Sequence, residues 1–245
     1  MQNMKAMIFA AGLGTRLKPL TDTMPKSMVP VLGKPLLQHT IEKLKVAGFD
    51  KIIINVHHFA DQIINFVREN NNFGIRIEFS DEREKLLDTG GGIKKASWFF
   101  NDGQPFLVHN VDIFSNIDLR NLYQTHLKNG SDVTLVASER KTSRYLLFDK
   151  NQYLKGWINE QTGETKSPLP DFNPENYHKL AFSGIHVINP SVFSFMTDFP
   201  DKFSVIDFYL SVCNKIKINA HTPKNLQLLD VGKLDSLKKA EEFIL

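Results

Sequence analysis

The chain has 245 residues, a formal net charge of +3 at pH 7, 42% hydrophobic residues and 23% charged ones. That balance is ordinary for a globular protein and too weakly basic to argue for nucleic acid or a membrane surface as a partner. The single cysteine, Cys213, forbids an internal disulfide and is consistent with a reducing cytoplasm. No apolar run is long enough to span a membrane or to form a secretion signal with its cleavage site.

Residues 5–10 read as a buried strand, followed by an irregular loop held open by Pro19 and Pro25. Leu37, Ile41 and Leu44 recur at helical spacing, and Gly48 stops that helix. Strands follow at 52–56, 75–79, 106–108 and 133–137, separated by helical patterns near 60–69, after Gly92 and near 118–128. This alternation predicts a doubly wound, mainly parallel sheet of the α/β class, with helices on both faces in three layers. Residues 145–158 read as a hairpin, and 159–180 as a polar segment with Pro168, Pro170 and Pro174. The chain returns as a strand at 181–188, helices near 191–196 and 204–214, strands within 216–229 and a final helix from 233. Trp98-Phe99-Phe100 reads as core, and Cys213 as a buried small hydrophobe.

The segment Ala11-Gly12-Leu13-Gly14-Thr15-Arg16-Leu17, with Pro25-Lys26 beyond it, carries the most chemistry. Glycines let backbone N–H groups approach a phosphate, and Arg16 and Lys26 supply neutralising charge. A dinucleotide fingerprint would need glycine where Leu17 stands. A Walker loop would end in Gly-Lys-Ser/Thr, and neither this loop nor Gly90-Gly91-Gly92-Ile93-Lys94 does. A bare Gly-x-Gly is usually a plain turn; the attached cations favour a nucleoside triphosphate site. In parallel sheets ligands sit at the carboxyl ends of strands. That places the 11–26 loop, the 80–92 loop and Asp112 on one rim.

Asp112 and Asp230 both follow strands, where a carboxylate can cap a turn or face the rim crevice. Two carboxylates with phosphate oxygens and water suit Mg²⁺. Asp88-Thr89-Gly90-Gly91-Gly92 reads as a helix start offering free N–H groups, or simply as a flexible one. His57-His58 reads as loop rather than as a metal pair, because adjacent strand residues point to opposite sides.

The motifs Gly12-Leu13-Gly14-Thr15-Arg16-Leu17, Pro25-Lys26-Ser27-Met28-Val29-Pro30-Val31, Lys34-Pro35-Leu36, Leu87-Asp88-Thr89-Gly90-Gly91-Gly92-Ile93, Asn110-Val111-Asp112, Phe182-Ser183-Gly184-Ile185 and Asp230-Val231-Gly232 occur in an order that resembles the sugar-1-phosphate nucleotidylyltransferases. The likeness is nearest to the branch that uridylylates N-acetylmuramate-1-phosphate, with mannose-1-phosphate guanylyltransferases almost as near. It implies a Rossmann-like nucleotide-diphospho-sugar transferase fold and one catalytic domain over residues 1–245. In that domain, 1–137 would hold the nucleotide and 138–245 the acceptor, with no C-terminal β-helix domain. It also implies transfer of a nucleoside monophosphate from the triphosphate to a sugar-1-phosphate, with release of pyrophosphate.

The roles implied by the resemblance are as follows. Arg16 meets the leaving pyrophosphate, and Lys26 the α-phosphate and acceptor-phosphate region. Asp112 and Asp230 hold Mg²⁺. Ala11, Gly12, Gly14, Thr15, Glu82, Gly90 and Asn110 bind the nucleotide. Asp88 and Gly184 approach the acceptor, although Gly184 could equally be a packing glycine within a strand. Two features depart from the family pattern. Asn110-Val111-Asp112 replaces Asn-Gly-Asp, and the stretch Tyr153–Glu160 lacks a Glu-Lys-Pro motif, which leaves the acceptor-phosphate ligand unassigned.

The expected substrates are UTP with N-acetylmuramate-1-phosphate, the alternatives being GTP with mannose-1-phosphate or CTP with phosphocholine. A rival reading is a nucleotide-binding regulatory subunit without turnover. The expected partners are small molecules, not nucleic acid or membrane; self-association as a homodimer is left open.

Overall fold

A computed structural model describes residues 4–244. The chain begins with strand β1 (Met4–Phe9), a loop of short 3₁₀ turns, the ribbon β2 (Pro30–Val31) and β3 (Lys34–Pro35), and helix α1 (Leu36–Val46). There follow β4 (Phe49–Val56), α2 (Ala60–Glu69), β5 (Arg76–Asp81), α3 (Asp88–Lys95), β6 (Phe106–Asn110), β7 (Ile113–Ser115), α4 (Leu119–Asn129) and β8 (Val133–Ser138). The second half comprises β9 (Arg144–Phe148), β10 (Leu154–Asn159), β11 (Thr165–Lys166), β12 (His178–Ile188), α5 (Phe193–Met196), α6 (Val205–Val212), β13 (Ile218–His221), β14 (Leu228–Asp230) and α7 (Leu234–Ile244).

Strands β5, β4, β1 and β6 lie side by side and parallel, so their carboxyl ends share one edge. The alternation of strand and helix dictates this arrangement, because each crossover helix returns the chain to the same end of the sheet. Beyond β6 the sheet becomes mixed. The long β12 runs antiparallel to β6, β8 and β9, and β9 pairs antiparallel with β10 as the expected hairpin. Strand β13 restores a parallel pair with β8. The polar 159–180 segment is built into this edge: β11 pairs with β10, and the Phe172 ring fills the space where Gly156 has no side chain.

Side chains leave a strand on alternate faces, and two apolar layers result. Ala6, Ile8, Ile52 and Ile54 pack with α1, α2 and α4, and with Ala240 of α7. Met7, Ile53 and Val108 pack with α3, α5, α6 and Phe99-Phe100. The sheet thus lies between two helical layers. Trp98, expected in the core, is 51% exposed. Its neighbours Phe99 and Phe100 are buried, and the short 3₁₀ helix that carries all three has too tight a turn to bury them together. Cys213 is buried, and loss of solvent raises its thiol pKa to about 11. Among the described residues no helix is long and apolar enough to cross a membrane.

Two histidines sit inside this sheet. Burial lowers the pKa of His186 on β12 to about 3 and that of His109 on β6 to about 4. The unfolded chain takes up protons near pH 6.5 that the folded chain refuses, so stability rises with pH across the window from about 3 to 6.5 and falls on acidification. Replacing His186 with Phe should flatten that acid limb, read as urea midpoints at pH 7 and pH 5. An unchanged pH dependence would contradict this origin of acid sensitivity.

Candidate active site

A cavity of about 350 Å³ opens at the carboxyl ends of the parallel strands. Its walls come from Phe9, Ala10, Ala11 and Gly12 after β1, Asn55 at the end of β4, Glu82, Leu86, Asp88 and Thr89 after β5, and Asn110, Val111 and Asp112 after β6. Lys26 and Lys202 complete it. Of the residues singled out in the sequence, Ala11, Gly12, Lys26, Glu82, Asp88, Asn110 and Asp112 are therefore gathered in one place.

The floor is polar and fully partnered. The Asn55 carboxamide oxygen accepts hydrogen bonds from the N–H groups of Ala10, at 2.8 Å, and Ala11, at 3.3 Å. Its amide nitrogen donates to Glu82 Oε1 at 2.9 Å, and Leu87 N–H donates to Glu82 Oε2 at 3.1 Å. Burial raises the Glu82 pKa, opposed by these hydrogen bonds. Glu82 is thus a structural tie in the cavity wall, and the Ala11 N–H, expected to meet the nucleotide, is already engaged. Asn55 carries no motif signal; it is a lone amide at a strand end, and only the fold brings β1 and β5 to it.

The loop after β1 stands outward. Gly12, Thr15 and Arg16 are exposed, while Leu17 is fully buried and anchors the loop. Gly14 has φ +65°, and a Cβ there would meet Lys26 Cβ and Thr21 Cγ2, each at 2.9 Å. Thr21 Oγ1 donates to the Gly14 carbonyl at 2.9 Å. Gly14 is required for this close return, which carries Lys26 to the cavity. A Cβ on Gly12, by contrast, would meet nothing within 4 Å.

Lys26 Nζ forms a close ion pair with Asp112 Oδ2, with both side chains mostly buried. Asp230 lies on the neighbouring strand: it pairs in register with Ile113, and the next N–H, of Val231, donates to the Asp112 carbonyl at 2.8 Å. Asp230 is exposed and does not line the cavity. Its Oδ1 and Arg16 Nη2 both crowd Gly232, where a Cβ would stand 2.6 Å and 2.7 Å from them. Arg16 and Lys233 together line a shallow groove beside the start of α7. The structure thus sets Lys26 and Asp112 inside the cavity, and Arg16 with Asp230 at the adjoining edge.

Two expectations change. The glycines of Gly90-Gly91-Gly92 lie within α3 rather than before it, and the N–H groups of Gly90 and Gly91 are not free: both donate to the Phe203 carbonyl, at 2.9 and 3.3 Å. Gly90 does not line the cavity; a Cβ there would stand 2.3 Å from the Phe203 ring. Gly184, at φ +75°, approaches the Asn110 side chain, where a Cβ would stand 2.5 Å from Nδ2, so it is a packing glycine beneath the cavity wall. Val111, where the family pattern has glycine, is 5% exposed and packs into the α1 layer. Its backbone is not left-handed, so valine fits without strain.

Asp112 meets Lys26 through Oδ2, and Asp230 follows one register step away. The mostly buried Asp112 and the exposed Asp230 are a pair of carboxylates of the kind that holds Mg²⁺ together with phosphate oxygens and water, rather than a closed protein cage. No cluster of three or more acidic, His or Cys ligands exists among the described residues.

Gly12→Ala should leave stability within about 0.5 kcal/mol, because its Cβ meets nothing. Gly91→Ala, whose Cβ would stand 2.0 Å from the Asp201 carbonyl oxygen, should cost about 1–3 kcal/mol. Denaturant unfolding of the two variants checks this contrast, and equal stability would refute it.

Residues 5–245 match the family model described as nucleotidyl transferase. A UTP–glucose-1-phosphate uridylyltransferase of Synechocystis sp. is 38% identical over 144 residues, 54% of this chain and 37% of that protein. An N-acetylmuramate alpha-1-phosphate uridylyltransferase of Neisseria meningitidis serogroup B is 44% identical over 122 residues, 50% of this chain and 52% of that protein. The matches thus span about half or less of these relatives' own lengths. The crystal structure of HddC from Yersinia pseudotuberculosis, complexed with GMP-PN, superposes with a TM-score of 0.75 at 27% identity, covering 99% of this chain and 100% of that one. With a family model matched along nearly its whole length, the chain belongs to the nucleotidyl transferase family.

Proposed function

We propose that the protein transfers a nucleoside monophosphate from a nucleoside triphosphate to a sugar-1-phosphate, with UTP and N-acetylmuramate-1-phosphate as substrates. The observation that carries the reaction class is the gathering of Lys26, Asp112, Gly12 and Asn110 around one cavity at the strand ends, with Arg16 in the separate groove beside α7. A phosphate monoester has a second pKa of about 6, so the attacking oxygen is ionised at neutral pH and needs no general base. That oxygen attacks the α-phosphorus; the bond to the β-phosphate oxygen breaks, and pyrophosphate leaves in line. The protein's work is positioning and charge stabilisation.

Lys26 faces the α-phosphate, exchanging part of its contact with Asp112 for phosphate oxygen. Arg16 meets the pyrophosphate as charge builds on it. The open backbone at Gly12 lets the nucleotide lie close to the chain, and Asp88, Thr89 and Asn110 border its base and ribose. Asp112 and Asp230 would hold Mg²⁺, which when bound neutralises phosphate charge.

A second cavity, of about 450 Å³, supports an acceptor that is a sugar bearing an extra anionic group. Trp157 and Phe182 give it flat apolar faces, on which sugars stack, and Asn159 a polar group. Its acids are balanced: Lys166 contacts Asp207 at 3.1 Å and Glu164 at 3.9 Å. Among the described residues Arg140 and Arg144 form no ion pair, and Arg140 Nη2 donates to the Phe182 carbonyl at 3.0 Å. Unpaired guanidinium groups suit a carboxylate, which N-acetylmuramate carries on its lactyl group and glucose and mannose lack. A second reading, GTP as donor, draws on the HddC complex with GMP-PN.

The test is pyrophosphate release from each of four nucleoside triphosphates with N-acetylmuramate, glucose and mannose 1-phosphates, with Mg²⁺ and with excess chelator. UTP with N-acetylmuramate-1-phosphate should dominate and should stop under chelation. Asp112→Asn should lower kcat at least about 100-fold with the fold intact. Full activity of that variant, or silence of the wild type in every combination with nucleotide still bound, would move the weight to a regulatory nucleotide-binding protein.

A further inference from the structure

The segment between α5 and α6 is fastened along α3 at every turn. Lys94 Nζ donates to the carbonyls of Thr197, at 3.1 Å, and Phe199, at 2.7 Å. Phe203 N–H donates to the Leu87 carbonyl at 3.2 Å, and the Phe203 carbonyl accepts from Gly90 and Gly91. Val205 N–H donates to Thr89 Oγ1 at 2.9 Å. The absence of side chains at Gly90 and Gly91 is what permits this seat, because their Cβ atoms would fall on the Phe203 ring and on the Asp201 carbonyl oxygen. The residue between those two obstacles is Lys202.

Lys202 lines the nucleotide cavity, and Ser204, two residues on, lines the Arg140–Trp157 cavity. The residues bordering the nucleotide cavity include two cationic ones, Lys26 and Lys202. Lys26 is committed to Asp112, whereas Lys202 forms no ion pair among the described residues. Arg16, the cation expected at the far end of the triphosphate, belongs to a different groove, with Lys233. An acceptor phosphate must lie between the α-phosphorus in the first cavity and its own sugar in the second, and Lys202 stands where the chain passes from one to the other.

We propose that Lys202 binds the phosphate of the acceptor sugar-1-phosphate and aligns its oxygen for attack. This rests on reading the chain as a sugar-1-phosphate nucleotidylyltransferase. The three glycines then serve the phosphate indirectly: they seat the segment that delivers the lysine. Lys202 is exposed and its side chain makes no hydrogen bond or ion pair among the described residues, so its removal should not disturb folding.

The experiment compares wild type with Lys202→Ala and Lys202→Arg in steady state, with melting temperatures as the folding control. In Lys202→Ala the KM for the sugar-1-phosphate should rise at least tenfold, while the KM for UTP stays within twofold. Lys202→Arg should recover most of the loss. A rise in the KM for UTP instead, or no change in either, would overturn the assignment. A second readout needs no turnover and so separates this assignment from the proposed activity. Amine acetylation of the wild type is quantified at Lys202 by peptide mass, alone, with UTP, or with N-acetylmuramate 1-phosphate or glucose 1-phosphate. Protection by a sugar-1-phosphate but not by UTP alone supports the role even if no substrate pair turns over. Equal labelling throughout, or protection by UTP alone, overturns it.

Discussion

One buried carboxamide holds the cavity together. Asn55 is 3% exposed, and its side chain joins the end of β1, through Ala10 and Ala11, to Glu82 beyond β5, which in turn holds the start of α3. Breaking one member leaves buried polar groups without partners, which costs about 1–3 kcal/mol for each group stranded. The network also sets what the cavity can do. By consuming the Ala10 and Ala11 N–H groups, it leaves ligand binding to the exposed backbone from Gly12 onward and to side chains reaching in from other elements.

Those side chains come from distant parts of the chain and meet through backbone contacts. Lys26 reaches the cavity because Gly14 turns left-handed against Thr21. Asp230 reaches Asp112 because β14 pairs with β7. Lys26 and Asp112 are paired, and their mutual attraction offsets part of the cost of holding two charges mostly out of water. On the proposed reading, a phosphate entering the cavity would meet a lysine already in position, and the carboxylate would be freed to share another cation. Preorganised charge of this kind is what a phosphoryl or nucleotidyl transfer without a general base requires.

Much of this was legible in the sequence, and the remainder has a common physical reason. The parallel half followed from apolar strands alternating with helical patterns, and the loop at Gly12-Leu13-Gly14-Thr15-Arg16 announced itself because glycine and cation spacing is a local property. The Val111 substitution was equally visible, but not the room for its side chain, which depends on a core pocket beside α1. Gly90-Gly91-Gly92 was misjudged because glycine before or within a helix looks the same in a string of letters. What distinguishes the two is Phe203, more than a hundred residues away, whose carbonyl and ring occupy the space. Asn55 and Lys202 had no signature at all. Each is an ordinary residue given its place by a contact between segments remote in sequence, and the spacing of residues carries no such information.

The most direct test of the cavity's role is a crystal structure of the protein with an uncleavable UTP analogue and Mg²⁺. The expected result places uracil and ribose between Gly12, Asp88 and Asn110, the α-phosphate against Lys26, and the metal between that phosphate and Asp112 and Asp230. A nucleotide bound elsewhere, or one in the cavity with its phosphates remote from Lys26 and both aspartates, would contradict the assignment of this cavity as the site of nucleotidyl transfer.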